Sequence, residues 1–137
     1  MQFGLSEEQR AIRDMAREFS NSELAPNAAR WEEEGTLSRE TLRKAGELGF
    51  GGVYVRDDVG GTGLSRLDAA IVFEELSAGC TSTSAMISIH NMAAAMIDRY
   101  GSEDLRQRFL PKLVTLEHMA SYCLTEPGAG SDAASLQ

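Results

Sequence analysis

A run of polar residues and glycines near the carboxyl end of the chain has the residue types of a ligand-binding loop. It reads Tyr-Cys-Leu-Thr-Glu-Pro-Gly-Ala-Gly-Ser-Asp over residues 122–132. Its glycines allow close backbone approach and positive φ angles. The Thr125 hydroxyl can pair with a heteroaromatic edge, and the Gly130 and Ser131 amides can form a concavity for phosphate oxygens. The run favours a nucleotide cofactor, and an ordinary Pro-Gly turn after an edge strand is the alternative.

The other reactive side chains give weaker signals. Cys80 and Cys123 are too far apart for a Cys-x-x-Cys pair, and His90 and His118 lack the spacing of metal ligands, so no metal centre is predicted. Cys123 has no His or Lys nearby in sequence to activate its thiol, which predicts a structural role. Glu126 precedes a proline and is predicted to make a local hydrogen bond or turn rather than to act as a base.

Two polar residues, His90 and Asn91, lie within an apolar helical pattern. They are interpreted either as core residues with satisfied hydrogen bonds or as part of a pocket wall shared with Ile87 and Ala94. The methionines of this stretch are predicted to be core filling: Met86, Met92 and Met96.

Capping patterns and apolar spacing predict the first helices that must position these residues. A capping box at Ser6–Gln9 begins an amphipathic helix. Its apolar positions are Ile12, Met15, Ala16 and Phe19. Pro26 precedes a separate turn over residues 27–34, anchored by Trp31. A short helix follows over Ser38–Leu48, with Leu42, Ala45 and Leu48 facing inward and Gly49 as its left-handed stop.

Two buried helices and a shorter one are predicted in the middle of the chain. A capping box at Ser65–Asp68 begins the first buried helix, and the hydroxyls of Thr81–Ser84 cap the second, which stops at Gly101. Ser102 begins a helix that ends at Pro111, and a separate helical segment, Lys112–Glu117, follows it. The residues expected in the core are Leu67, Ile71, Phe73, Ile89 and Met92.

The pattern of apolar and polar residues changes after Met119. Ala120, Tyr122 and Leu124 alternate with polar residues, a period-two pattern that predicts a strand. A lone strand at a chain end leaves its backbone unpaired, so the chain is interpreted as a fragment. We expect an all-α domain over residues 1–118 and the first strand of a following β-domain over residues 119–137.

Composition excludes several classes of function. The chain has 137 residues, 42% of them apolar, enough for one domain core, and its net charge of −8 argues against nucleic acid as a partner. Neither a targeting segment nor an uninterrupted apolar span of eighteen residues is found, which predicts an intracellular protein with no membrane contact. The acidic run Glu32–Glu34 and the scattered arginines are interpreted as solvated surface.

Taken whole, Tyr122–Ser135 resembles the first signature of the acyl-CoA dehydrogenases. The resemblance covers essentially the whole chain, and three stretches look most like the isobutyryl-CoA dehydrogenase branch. They are Asp58–Asp68, Cys80–Ser84 and Ile87–Met92. The family's fold implies an N-terminal helical domain, a middle β-domain and a C-terminal helical domain, usually assembled as a homotetramer.

The resemblance also implies a function, an FAD-dependent oxidation of a short branched acyl-CoA to the 2-enoyl-CoA in valine catabolism and fatty acid metabolism. A C-terminal carboxylate removes the α-proton, the β-hydrogen leaves as hydride to the flavin, and electron-transfer flavoprotein takes the electrons. The resemblance implies a bacterial cytoplasmic or, for a processed eukaryotic protein, a mitochondrial matrix location. The alternative is a non-catalytic helical module that binds an acyl thioester or a protein.

The family pattern assigns site residues but no catalytic residue in this chain. The residues implied to line FAD are Tyr122, Cys123, Leu124, Thr125, Glu126, Pro127, Gly128, Ala129, Gly130 and Ser131. Ser131 also faces the acyl-CoA, and Ile87, His90 and Asn91 are the further candidates for the substrate pocket.

Overall fold

The structure, a computed structural model, describes residues 4–137, so the first three residues of the predicted helical domain lie outside it. The described residues form six α-helices, which confirms the all-α prediction. The helices are α1 (Glu7–Phe19), α2 (Ala28–Glu34), α3 (Arg39–Glu47), α4 (Arg66–Gly79), α5 (Thr81–Tyr100) and α6 (Glu103–Val114). A π-helical turn, Ser20–Leu24, extends α1, and 3-10 turns cover Asp57–Val59 and Ala133–Ser135.

Serine residues begin four of the helices as their sequence patterns predict. Ser6 and Gln9 bond reciprocally at 3.1 Å, and Ser65 and Asp68 form the same capping box ahead of α4. Ser38 and Ser102 cap α3 and α6. Each cap satisfies an amide that the helix leaves free, which is worth about 1 kcal/mol.

The predicted cap of α5 is wrong. Cys80 occupies the cap position and its side chain accepts no capping hydrogen bond, and the predicted capping residues lie inside the helix. Their hydroxyls have other partners: Thr83 donates to the Cys80 sulfur at 3.1 Å and Ser84 to the Phe73 carbonyl at 3.1 Å. These buried hydroxyls join the start of α5 to α4.

Apolar residues from several helices form two core clusters. In the larger cluster, Phe19 of α1 meets Phe50 edge to face with ring centroids 5.6 Å apart. Its other buried members are Ala16, Leu24, Trp31, Leu42, Ala45, Val72, Leu76, Cys80, Ile87 and Leu116. The smaller cluster comprises Val55, Val59, Ala94, Leu110, Leu113 and Val114. Trp31 anchors α2, as predicted, and α5 contributes to both clusters.

Several residues predicted to be core are exposed. Leu67 is 60% exposed and Ile89 40%, while Leu48 lies at the surface at 36%. Ile71 is buried as predicted, whereas Phe73 and Met92 are half-buried and both Met86 and Met96 are exposed. The described residues leave one face of α4, at Leu67, and one face of α5, at Ile89, uncovered. An apolar residue on the uncovered side therefore looks like core in the sequence but has no neighbour to bury it.

The prediction that α6 ends at Pro111 is also wrong, because one helix runs from Glu103 to Val114. Proline removes one backbone hydrogen bond from a helix interior. Leu110, Leu113 and Val114 are nevertheless buried on either side of the proline, and their burial holds the helical path. The Thr115 hydroxyl then donates to the Pro111 carbonyl at 3.3 Å, next to the end of the helix.

The predicted strand over residues 120–125 is not formed within residues 4–137. Residues 121–125 run without helix or ladder, and their backbone groups form no hydrogen bond to the described part of the chain. A strand needs a neighbouring strand to pair its amides and carbonyls, and these residues include none. Among the helices described, none is long and apolar enough to span a membrane.

Candidate functional site

Asn91 of α5 is completely buried and ties the glycine-rich connection between α3 and α4, residues 49–63, to the core. Its side-chain oxygen accepts from the Val53 amide at 2.7 Å, and its side-chain nitrogen donates to the carbonyls of Phe50 at 2.7 Å and Ile87 at 2.9 Å. Neither Asn91 nor Ile87 has any exposed surface. Asn91 thus has the satisfied hydrogen bonds of a core polar residue.

His90, the next side chain on α5, is equally buried and bonded through both ring nitrogens. Its Nε2 lies 3.0 Å from the Leu113 carbonyl oxygen, and its Nδ1 accepts from the Ala120 amide at 3.0 Å. Burial lowers the pKa of His90 below its ordinary value, and the carbonyls of Leu113 and Gly51 oppose that shift. The imidazole is therefore neutral and contacts the first residue of the predicted strand.

Residues 121–131, which we call the loop segment, leave the core at Ala120. The side chains of Cys123, Leu124 and Thr125 are exposed, and those of Tyr122 and Glu126 are half-buried. Cys123 is a free thiol at the surface, so the packing role predicted for it is not seen here. Glu126 and Ala129 exchange backbone hydrogen bonds at 3.0 and 3.1 Å, closing a tight turn. The Glu126 carboxylate also accepts from the Gln137 amide at 3.2 Å.

The loop segment has the donors and the space that a flat or anionic ligand requires. A Cβ atom at Gly128 or Gly130 would meet no atom within 4 Å, so the space beside the backbone there is open. The sequence analysis suggested that these glycines allow positive φ angles, but neither of them has a positive φ. This open turn, whose Gly130 and Ser131 amides donate to no described backbone group, fits an anionic ligand bound through main-chain hydrogen bonds.

A charged cluster that the sequence analysis missed joins α5, α6 and the 3-10 turn at Asp57–Val59. Arg106, expected at the solvated surface, has only 4% of its side chain exposed and contacts three carboxylates. They are Asp58 at 2.7 Å, Asp98 at 2.9 Å and Glu103 at 2.6 Å. Burial alone would raise the pKa of Asp98, but hydrogen bonds from Arg106 and Arg56 hold it below its ordinary value. The cluster fastens the 3-10 turn at Asp57–Val59 to α5 and α6.

A second missed feature is the outer face of α5. Met86, Ile89 and Met96 are each 40 to 43% exposed and recur at helical spacing on one side of the helix. The same spacing was available in the sequence, but apolar periodicity alone does not distinguish a face buried in this chain from one left open. Within the described residues, no group of three His, Cys, Asp or Glu side chains is arranged to hold a metal ion.

Comparison with known proteins decides the family. A model of the acyl-CoA dehydrogenase N-terminal domain matches residues 6–117. The chain belongs to the acyl-CoA dehydrogenase family. This confirms the resemblance drawn from the sequence, including its extension from the first capping box to the end of the helical region.

Alignments with relatives in the acyl-CoA dehydrogenase family extend over nearly the whole chain. Mitochondrial isobutyryl-CoA dehydrogenase from Bos taurus is 59% identical over 133 residues, 97% of this chain and 32% of that protein. The Dictyostelium discoideum protein of the same name is 56% identical over 133 residues, again 97% of this chain and 32% of that protein. A solved FAD complex of PigA superposes with a TM-score of 0.91 at 34% identity, covering 100% of this chain and 37% of PigA. The chain spans about a third of the length of the curated relatives it matches.

Proposed function

We propose that this chain forms the N-terminal part of an FAD-dependent dehydrogenase that oxidises a short branched acyl-CoA, isobutyryl-CoA or a close analogue, to the 2-enoyl-CoA. The observation that carries the proposal is the 59% identity to bovine isobutyryl-CoA dehydrogenase, sustained over 97% of the chain. No catalytic residue is assigned to the chain, and the base that removes the α-proton is expected outside it.

The proposal assigns FAD to Tyr122–Ser131, with residues 119–137 forming the start of a β-domain. The open backbone of the loop segment and the FAD complex of PigA, a structure similar to this chain, support the assignment. When bound, FAD supplies the acceptor for the substrate hydride. The Thr125 hydroxyl and the Gly130 and Ser131 amides would bind and orient it, and Ser131 would also face the acyl-CoA.

The pocket residues proposed on α5 are given a supporting role. Ile87, His90 and Asn91 have no exposed surface in this chain, so they are proposed to shape the pocket wall from behind rather than to touch an acyl group. The family resemblance supports electron-transfer flavoprotein as electron acceptor and a homotetrameric assembly. The names of the two isobutyryl-CoA dehydrogenases support a mitochondrial matrix location for a eukaryotic protein, with the cytoplasm proposed for a bacterial one.

The test is the visible absorption spectrum of the natural full-length protein, recorded without oxygen before and after isobutyryl-CoA is added. We expect a flavin band that bleaches on addition of the substrate. A colourless protein that takes up no added FAD would overturn the cofactor assignment and favour the binding-module alternative. Bleaching by a straight-chain acyl-CoA in preference to isobutyryl-CoA would overturn the substrate assignment alone.

A matched pair of glycine variants tests whether the loop segment holds the flavin. Gly130→Val places a side chain in open space, so the fold of this chain should tolerate it while FAD binding is lost. Gly4→Val is the control, because a Cβ atom at Gly4 also meets no atom within 4 Å but lies at the other end of the chain. Equal FAD content in the two variants would remove the loop segment from the proposed site.

A further inference from the structure

The chain makes an unusual change of direction between α6 and the loop segment. Leu116, in the turn over residues 114–119, has a φ of 57°, a left-handed conformation that residues other than glycine rarely adopt. Its side chain is buried in the larger core cluster, and the Leu116 amide donates to the Leu113 carbonyl at 2.9 Å. Burial therefore holds a strained residue at the point where the chain turns toward the loop segment.

The His90 side chain forms hydrogen bonds with residues before and after this turn. Because a backbone amide is only a donor, the contact with Ala120 requires Nδ1 to be an acceptor, so the hydrogen of the neutral ring is on Nε2. Nε2 then donates to the Leu113 carbonyl, which lies before the turn, while Ala120 lies after it. One imidazole in a fixed tautomer thus joins the two ends of the turn.

Within the described residues, the bond from the Ala120 amide to His90 is the last hydrogen bond that the main chain makes before the loop segment begins. Residues 121–125 form none to the described part of the chain, and the next backbone bonds are those within the turn at Glu126–Ala129. A shift at Ala120 would therefore be passed directly to the residues that follow.

We propose that His90 is a positioning residue for the flavin: its neutral imidazole fixes the point and direction at which residues 121–131 leave the helical core. The inference rests on the proposed function, in which those residues hold FAD. His90 acts through the main chain at Ala120 and touches neither cofactor nor substrate. Its role differs from that of Asn91, whose three hydrogen bonds all go to residues before and within α5.

Two isosteric variants separate the two bonds of the imidazole in the natural full-length protein. The amide of an asparagine side chain reaches the position of Nδ1, so His90→Asn can keep the acceptor for Ala120 while losing the Leu113 contact. The amide of a glutamine reaches the position of Nε2, so His90→Gln keeps the Leu113 contact and loses the acceptor for Ala120. Both variants lose one buried hydrogen bond, which makes each the stability control for the other.

The measurements are FAD affinity, flavin visible circular dichroism and amide hydrogen exchange at Ala120 and residues 121–125. We expect His90→Gln to weaken FAD binding by about tenfold, to alter the flavin signal and to speed exchange at Ala120, since it leaves that buried amide unpaired. His90→Asn should stay within about twofold of the unchanged protein in FAD affinity, with Ala120 still protected. Equal effects of the two variants on flavin and exchange, in either direction, would overturn the proposal.

A third variant removes the same hydrogen bond by changing the main chain at Ala120. Ala120→Pro removes the amide hydrogen and leaves His90 in place, so it should reproduce the flavin defect of His90→Gln even if that variant fails to fold. Normal FAD affinity in Ala120→Pro would also overturn the proposal. If the unchanged protein binds no FAD, the proposed function fails by itself, and the exchange rates at Ala120 still decide whether His90 anchors the segment.

Discussion

At the scale of single residues, three buried polar side chains carry contacts that apolar packing cannot supply. Asn91 fixes the glycine-rich connection, His90 joins the end of α6 to the loop segment, and Arg106 gathers three carboxylates. The sequence was sufficient to propose that His90 and Asn91 are satisfied core residues, because they sit among apolar neighbours on a helix. It gave no sign of Arg106, since Asp58 lies far from it along the chain and Asp98 lies on the preceding helix, so only the packing of these elements brings the charges together.

Replacing Asn91 by alanine should destabilise the fold strongly. The substitution leaves the Val53 amide and the Phe50 carbonyl buried without partners, and we expect the free energy of unfolding to fall by about 3 kcal/mol. Urea unfolding followed by far-UV circular dichroism measures the change. Ser88→Ala on the same helix is the control, because the Ser88 hydroxyl bonds only to the nearby Ala85 carbonyl. A loss for Asn91→Ala no larger than that of the control would contradict the role given to Asn91.

At the scale of elements, the amphipathic helices and their caps were readable from local sequence, and their close contacts were not. Ser6, Ser38, Ser65 and Ser102 act within three residues of themselves, so a pattern in the sequence is enough to identify them. Pro111 was misleading because burial of its neighbours, a tertiary effect, outweighs the lost backbone bond. The π-helical turn after α1 has no local signature that would have identified it. The glycines Gly46 and Gly79, inside α3 and α4, owe their place to neighbouring elements.

Gly46→Ala should destabilise the chain although alanine is the better helix former. In an exposed helix interior this change would gain about 1 kcal/mol. Here the added Cβ would overlap the Thr115 carbonyl, which belongs to the backbone and has no rotamer to escape. We expect a net loss of about 1 to 3 kcal/mol in the free energy of unfolding, measured by urea titration. Gly128→Ala, which meets no atom within 4 Å, serves as the control; a Gly46→Ala variant more stable than the unchanged chain would show that α3 and Thr115 are not so close.

At the scale of the whole molecule, the described residues make a helical domain, an unpaired stretch over residues 121–125 and a short hydrogen-bonded turn at Glu126–Ala129. The helical class followed from periodicity and from the family resemblance, both of which span most of the sequence. The core membership of Leu67 and Ile89 did not, because burial depends on what covers each helix. The predicted strand at residues 120–125 likewise depends on pairing that the described residues do not offer.

Hydrogen exchange on the 137-residue chain should show slow amides in the helical core and fast amides directly after Ala120. Amides of residues 121–125 have no partner in the described structure and should exchange within the fastest class, whereas those of α4 and α5 facing the core should be slow. The Ala120 amide is an internal control, since its bond to His90 should slow it relative to its neighbours on the C-terminal side. Slow exchange at Cys123–Thr125 in the monomeric chain would contradict the unpaired state described above.

The methionines on the exposed outer face of α5 can also serve as natural probes for chemical footprinting. Met86 and Met96, each 43% exposed, offer their thioethers to dilute peroxide, while the half-buried Met92 on the same helix provides a slower reference. Conversion to the sulfoxide adds one oxygen, which mass spectrometry reads peptide by peptide. The ratio of modification at these methionines therefore reports, without any engineered label, whether that face is open to solvent or shielded in a given preparation.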